Sequence, residues 1–427
     1  MTGDSLSANI PVFSSMNITF LAHGFRGDVQ PFIPLADGLQ KAGHRVLFAA
    51  PTNFRPLVTE HGLEFFDLGV DAEAFVQQPA TQKWLKTGNN PVAYLRQAAR
   101  VMLPFMEDVT ETSLEACRGA DAVIFSPASF NGYLIAEKLK IKAVGAFLQP
   151  VIYPASGYPF PIASLASAAA WMMVKPSMQR IRRRLDMPAD SNKNIFAKMK
   201  AERMPMLHGY STQIVPRPDS WPEWARTGGY WFLDAHKEWR PPPALERFLS
   251  AGEKPVYIGF GSMSVDDPEG VQTAITRAIS MTGARAVVAA GWSGLSGEAA
   301  SSDRIFSVAS APHDWLFPRV AATVHHVGAG TTAASMRAGT PQVPVPFFGD
   351  QPFWAKRATA LGVAAKPIPC ERLTAERLAR GIDQALRPAC ISRAAETGQR
   401  LRAEDGVAHA VRDFHQLIAS ASPPQPL

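Results

Sequence analysis

The stretch TVHHVGAGTTAASMRAGTPQVPVPFFGDQPFWA, residues 323–355, decides the fold. Residues 323–326 read as a short buried strand, Gly328, Ala329 and Gly330 as a turn, Thr331 and Thr332 as the opening of a helix, and residues 342–345 as a second strand. A strand, a glycine turn, a helix and a strand in this order form the repeating unit of a parallel sheet. The turn also carries chemistry. The first N–H groups of a helix have no partner within it, and its positive dipole end points the same way, so small residues and hydroxyls there suit a phosphate. A plain glycine turn capped by threonine accounts for the same residues.

The second strand runs into Pro346, Phe347, Phe348, Gly349, Asp350 and Gln351. A carboxylate beside an amide matches the vicinal hydroxyls of a sugar ring, whereas a capping aspartate is the plainer reading of Asp350.

Outward from this segment the unit recurs. Residues 17–22 are a buried strand, HGFRGDVQ a glycine-bearing turn, and residues 31–43 a helix. Strands follow at 45–50 and 63–68, with a helix at 55–61. Further strands are expected at 122–125 and 143–147, with a helix at 132–138 between them and a last strand at 214–216. Residues 230–243, with Trp231, Trp239 and three consecutive prolines, resist regular structure and read as a linker. The pattern then restarts, with strands at 256–260, 286–290 and 305–308, a tight turn at 261–264 and a helix at 269–282. The expected fold is α/β, two facing Rossmann-like domains with an interdomain cleft. The expected divisions are a disordered leader (1–15), an N-terminal domain (16–229), the linker, a C-terminal domain (244–404), and a helix and tail (405–427) that return to the first domain.

A chain of 427 residues is long enough for two cores. No apolar run approaches the roughly 20 residues that span a bilayer, and the first residues lack a signal-peptide pattern. Cys117, Cys370 and Cys390 are odd in number and without metal-like spacing, which fits a reducing cytoplasm and gives no support to a disulfide framework or zinc site. The net charge of +6 is spread thinly except at residues 175–184, so a nucleic-acid surface is not expected.

Five ordered blocks carry a resemblance: GFRGDVQPFIPLADGL near the N-terminus, then GYWFLD, PVYIGFGSMS, PHDWLFPRVAA and the HHVGAGTT to DQ segment. Together they resemble family 1 glycosyltransferases, above all the bacterial and fungal sterol glucosyltransferase branch, which shares its donor signature with antibiotic glycosyltransferases. The family block has glycine where this chain has Val327. The resemblance implies a GT-B fold and an inverting transfer with no metal and no cofactor beyond the donor, a UDP-sugar (UDP-glucose foremost) or a TDP-sugar.

By the same resemblance His326, Gly328, Ala329, Gly330, Thr331 and Thr332 contact the diphosphate, with Gly261 and Ser262 closing on it from another strand end. Asp350 and Gln351 hold the sugar. The uracil-stacking tryptophan of plant relatives falls at Ser310, so the backbone around Ala311 to His313 is expected to hold the base, with Trp315 packing in the core. Asp28 matches the general base, its pKa raised in a closed cleft. His23 in the same loop is chemically the easier base at neutral pH, and second base, orienter and bystander all remain open for it. Arg26 is either a diphosphate counter-charge or a surface arginine.

The acceptor is expected to be lipophilic, a sterol or another terpenoid or polyketide. Tyr94, Phe105, Phe130, Tyr153, Tyr158 and Phe160 are candidate pocket aromatics, although most aromatics in such a chain are core. FPIASLASAAAWMMV followed by KPSMQRIRRRL reads either as a membrane-adjacent amphipathic helix or as two packed helices with a solvated basic face. Two rival functions keep the fold, a nucleotide-sugar epimerase and a non-catalytic nucleotide-sugar or lipid-binding protein.

Overall fold

Twelve strands, all parallel, build two separate sheets in the computed structural model of the chain, which describes residues 14–85, 87, 91–150, 153, 166–188, 194–235, 239–261, 267–289 and 303–425. The first sheet holds β1 (Asn17–Leu21), β2 (Arg45–Ala50), β3 (Glu64–Asp67), β4 (Ala122–Phe125), β5 (Lys142–Phe147), β6 (Met206–His208) and β7 (Ala225–Thr227). Their order is β3-β2-β1-β4-β5-β6-β7. The second holds β8 (Val256–Gly259), β9 (Ala286–Ala289), β10 (Ile305–Val308), β11 (Ala322–His325) and β12 (Gln342–Pro344), in the order β10-β9-β8-β11-β12. Central strands such as β4 and β9 are buried at every residue, as helix-covered parallel strands must be.

Two expectations need correction. Residues 214–216 are not a strand: the amides of Ile214 and Val215 both turn back to the Ser211 carbonyl, and prolines at 216 and 218 lack the N–H a ladder needs. β6 and β7 complete the sheet instead. The HGFRGDVQ segment is also more than a turn, since Arg26–Val29 forms one helical turn before the helix Phe32–Lys41. Helices at Ala72–Gln77, Pro79–Leu85, Pro91–Asp108 and Thr110–Ala116 fill the long connection from β3 to β4.

The helix Gly406–Ser420 leaves the second domain and packs on Phe32–Lys41, burying Phe414, Leu417 and Ile418 among first-domain residues. Asp405 caps its start by accepting the Ala408 amide at 2.9 Å. A second tie is the helix Gln351–Ala360. Its Phe353, Trp354 and Ala358 join one buried cluster with Tyr210, Ile214 and Val215 of the first domain, and Arg357 Nε donates to the Ile214 carbonyl at 2.8 Å. Both ties hold the carboxyl edges of the two sheets toward a common cleft.

Candidate active site

In each sheet the neighbours of the first strand are reached by connections leaving in opposite directions. The crevice at such a switch point lies beyond the carboxyl ends of β1 and β4 in one domain and of β8 and β11 in the other. The residues singled out in the sequence leave from these strand ends: His23 to Asp28 follow β1, Gly261 follows β8, and His326 to Thr332 follow β11.

Asp28 sits in the one-turn helix, its amide bonded to the Phe25 carbonyl at 2.8 Å while its Oδ2 accepts the Phe25 amide at 2.9 Å. Gly24 makes this possible: its φ is +111°, and a Cβ there would lie 2.6 Å from Asp28 Oδ2. Burial pushes the Asp28 carboxyl up to about 6; the Phe25 N–H pulls it back, and the carboxylate of Asp350 across the cleft adds to the rise.

His23 is fully buried. Its ring stands edge-on to Phe105 at 6.2 Å, Nε2 lies 3.3 Å from Ser113 Oγ, and its backbone amide donates to Ser129 Oγ at 3.1 Å. Ser113 gives its hydroxyl proton to the Val109 carbonyl at 2.7 Å, so His23 Nε2–H is the donor toward Ser113. Burial, partly offset by the Ala128 carbonyl, lowers its pKa to about 4 and keeps it neutral.

On the donor side the helix Ala329–Ala338 begins two residues earlier than the sequence suggested, with Gly328 at its N-cap and Thr331 and Thr332 within its first turn. No side chain caps it, so phosphate oxygens suit its first N–H groups. His326 lies against two glycines: a Cβ on Gly328 would come within 2.6 Å of its Nε2, and one on Gly261 within 3.0 Å of its Cε1. His326 Nδ1 and Thr332 Oγ1 are both buried without a hydrogen-bond partner among the described residues. Burial holds His326 near 4, and burial, His326 and Arg26 together hold His313 near 4, so both rings are neutral.

Val327, where the family block has glycine, sits at φ +63°, in the left-handed region that favours glycine, with a fully buried side chain. His325 braces it. The Val327 amide donates to His325 Nδ1 at 3.1 Å, which leaves the proton on Nε2 to reach Gln342 Oε1 at 2.9 Å.

Asp350 is the N-cap residue of Gln351–Ala360 but does not cap it by a side-chain bond. Its Oδ2 accepts Trp354 Nε1 at 2.7 Å and Gln149 Nε2 at 3.2 Å. Burial raises its pKa, and these donors offset part of the rise. Gln351 turns inward, its Oε1 accepting the amides of Phe347 at 2.7 Å and Phe348 at 3.2 Å. Its carbonyl end therefore braces the loop. Ala311 and His313 follow β10, where the His313 ring stacks on Phe317 at 4.3 Å. Trp315 is half-buried and packs against the core cluster of Leu316 and Phe317, with Trp239 of the linker at 5.2 Å and Arg319 over its ring.

Of the aromatics proposed for the acceptor, Phe105 packs beside His23, while Phe130 and Tyr153 belong to the first-domain core. Ser262, Tyr158 and Phe160, and the side chain of Tyr94, lie outside the described residues. Sequence reading missed the cluster of Phe25, Phe75, Trp84 and Phe348, which joins the Asp28 loop to the Asp350 loop across the cleft. Phe25 and Phe348 each adjoin a residue already singled out, and that adjacency was the available signal. Among the described residues no group of three or more His, Cys, Asp or Glu gathers to hold a metal ion.

Residues 18–154 match the Glycosyltransferase family 28 N-terminal domain, and residues 275–409 the Erythromycin biosynthesis protein CIII-like C-terminal domain. A sterol 3-beta-glucosyltransferase of Arabidopsis thaliana is 35% identical over 95% of this chain and 66% of its own length. One from Aspergillus fumigatus is 33% identical over 97% of this chain and 30% of its own length. The chain thus spans about two thirds of the plant relative and under a third of the fungal one. A solved Streptomyces sp. SF2575 glycosyltransferase, SsfS6 complexed with thymidine diphosphate, superposes with a TM-score of 0.65 at 19% identity, covering 94% of this chain and 99% of that one.

Proposed function

Because the chain belongs to the GT-B glycosyltransferases, we propose that it transfers a hexose, glucose foremost, from a UDP-sugar to a hydroxyl of a lipophilic acceptor, with inversion. The observation that carries this reading is the meeting of two carboxyl groups across one cleft: Asp28 from the first domain and Asp350 from the second, whose charge reaches Asp28. Burial tunes the Asp28 carboxyl upward to about 6, which suits a general base near neutral pH.

In the proposed step Asp28 Oδ1 takes the acceptor's hydroxyl proton. The acceptor oxygen bonds to the anomeric carbon, and the bond from that carbon to the β-phosphate oxygen breaks, releasing UDP. The N–H groups at the start of Ala329–Ala338, Thr332 Oγ1 and neutral His326 receive the diphosphate's growing charge. Asp350 meets the sugar hydroxyls, and no resident cofactor takes part. His23 acts as a buried strut under the loop rather than as the base. The aromatic cluster around Phe25, Trp84, Phe105 and Phe348 supports an apolar acceptor, which an epimerase would not need.

The sterol glucosyltransferase names of the relatives support glucose and a sterol-like alcohol. The thymidine diphosphate bound to SsfS6 keeps a TDP-sugar as the alternative donor. Among the described residues no helix is long and apolar enough to cross a membrane. We propose a cytoplasmic setting, with peripheral membrane contact through the exposed Met172 and Met173. The deciding experiment incubates the protein with UDP- and TDP-sugars against a panel of sterols, other terpenoid alcohols and polyketide aglycones. Glycoside and free nucleotide diphosphate are expected in equal amounts; release of neither with every pair overturns the reading.

A further inference from the structure

Asp350 Oδ2 has two donors of different origin. Trp354 Nε1, at 2.7 Å, comes from the next turn of the same helix and travels with Asp350 in any domain movement. Gln149 Nε2, at 3.2 Å, comes from the loop after β5 in the other domain, so this bond exists only while the cleft is closed. Farther along the helix, Arg357 on the Ile214 carbonyl and Trp354 against Tyr210 fasten the same element to the first domain. The helix that carries Asp350 thus meets the first domain at its start, through Gln149, and farther along, through Trp354 and Arg357.

We propose that Gln149 is a positioning residue that orients the Asp350 carboxylate from the acceptor domain, so that the sugar subsite reaches its binding geometry only when the two domains are closed. A carboxylate with one donor rotates about its bond to Cβ; a second donor on the same oxygen fixes its plane and sets the direction in which Oδ1 accepts. Nucleotide recognition, at the end of β11, does not involve Gln149. The proposal rests on the reading that Asp350 meets the sugar.

The test is calorimetric binding of UDP and of UDP-glucose to the wild-type protein and to Gln149→Ala, Gln149→Glu and Asp350→Asn. UDP affinity is expected to stay within about twofold in Gln149→Ala while UDP-glucose affinity falls about tenfold, the scale of one hydrogen bond to a charged group. Gln149→Glu keeps the shape but loses the donor, so its UDP-glucose affinity is low at alkaline pH and recovers relative to wild type on acidification, as the new carboxyl regains a proton. A merely structural role does not produce that recovery. Equal weakening of UDP and UDP-glucose, or weakening of neither, overturns the proposal. Preference for UDP-glucose over UDP that is lost in Asp350→Asn but kept in Gln149→Ala sinks the proposal alone. A wild-type protein that binds UDP but shows no such preference sinks the sugar reading of Asp350 and the proposal with it.

Discussion

At the scale of single residues, Asp28 trades stability for reactivity. Its carboxyl is raised to about 6 against 3.8 in the unfolded chain, so folding disfavours the ionised form. The resulting penalty is absent below the unfolded value, grows as pH rises, and is complete above about 6. Asp28→Asn keeps an acceptor for the Phe25 amide, so it is expected to raise the melting temperature at neutral pH and to lose that advantage in acid. Transfer should fall by about 10²–10⁴-fold in the same variant. Full transfer by Asp28→Asn, measured as glycoside formed, removes Asp28 as base. Val327 makes a comparable trade in the backbone, since a β-branched residue at φ +63° costs about 1–2 kcal/mol. Alanine there keeps the strain and loses packing; glycine loses about one more methyl group but sheds the strain. Val327→Gly should therefore be at least as stable toward urea as Val327→Ala. A clear advantage for alanine would falsify the strain assignment.

At the scale of elements, the helix Ala166–Arg184 carries the proposed membrane contact. In the sequence its basic run fits either a membrane-adjacent helix or packed helices with a solvated basic face; in the fold most of those charges are taken. Arg180 pairs with Glu107 at 2.7 Å, buried Arg182 with Glu137 at 3.0 Å, and Arg184 with Asp108 at 3.2 Å. Besides the exposed Arg183, the helix turns apolar side chains outward: Met172 is 75% exposed and Met173 40% exposed. Vesicle binding through this helix should therefore resist high salt, because screening acts on exposed charge and not on apolar contact. Replacing both methionines by serine should weaken co-sedimentation with neutral vesicles by about five- to tenfold. Binding abolished by salt, or unchanged in the double variant, counts against this route. The sequence offered the cations, but their partners on Pro91–Asp108 and Asn131–Leu139 are far away along the chain and met only on folding.

At the scale of the whole molecule, buried neutral histidines set the response to acid. Burial lowers His23, His208, His313 and His326 to about 4 and His325 to about 3, against 6.5 when unfolded. Below 6.5 the unfolded chain takes up protons that the folded protein refuses, so stability falls as pH drops from 6.5 toward 4. Each such group contributes up to about 1.4 kcal/mol per pH unit, and together they outweigh the opposite effect of Asp28. Thermal unfolding followed from neutral pH down to pH 5 should show a steady fall in melting temperature. A flat or rising profile would mean that these rings are protonated in the folded state.

Several features were determined by the sequence alone because they depend on neighbours along the chain. Short apolar strands, glycine turns and helix starts gave β2, β4 and β10 to the residue, and the ordered motifs around Asp28, Val327 and Asp350 pointed to the family. The helical connection from β3 to β4, the true last strands β6 and β7, and the inward turn of Gln351 were not legible, since none depends on local pattern. Tertiary structure decided how burial shifts each of the two candidate bases, which arginines of a basic run are spent on distant carboxylates, and which residue of the first domain reaches Asp350. Burial and charge pairing belong to elements that the sequence separates and the fold brings together. Asp28 and Asp350 stand far apart in the chain, and only the folded cleft makes Asp350 part of the electrostatic surroundings of Asp28.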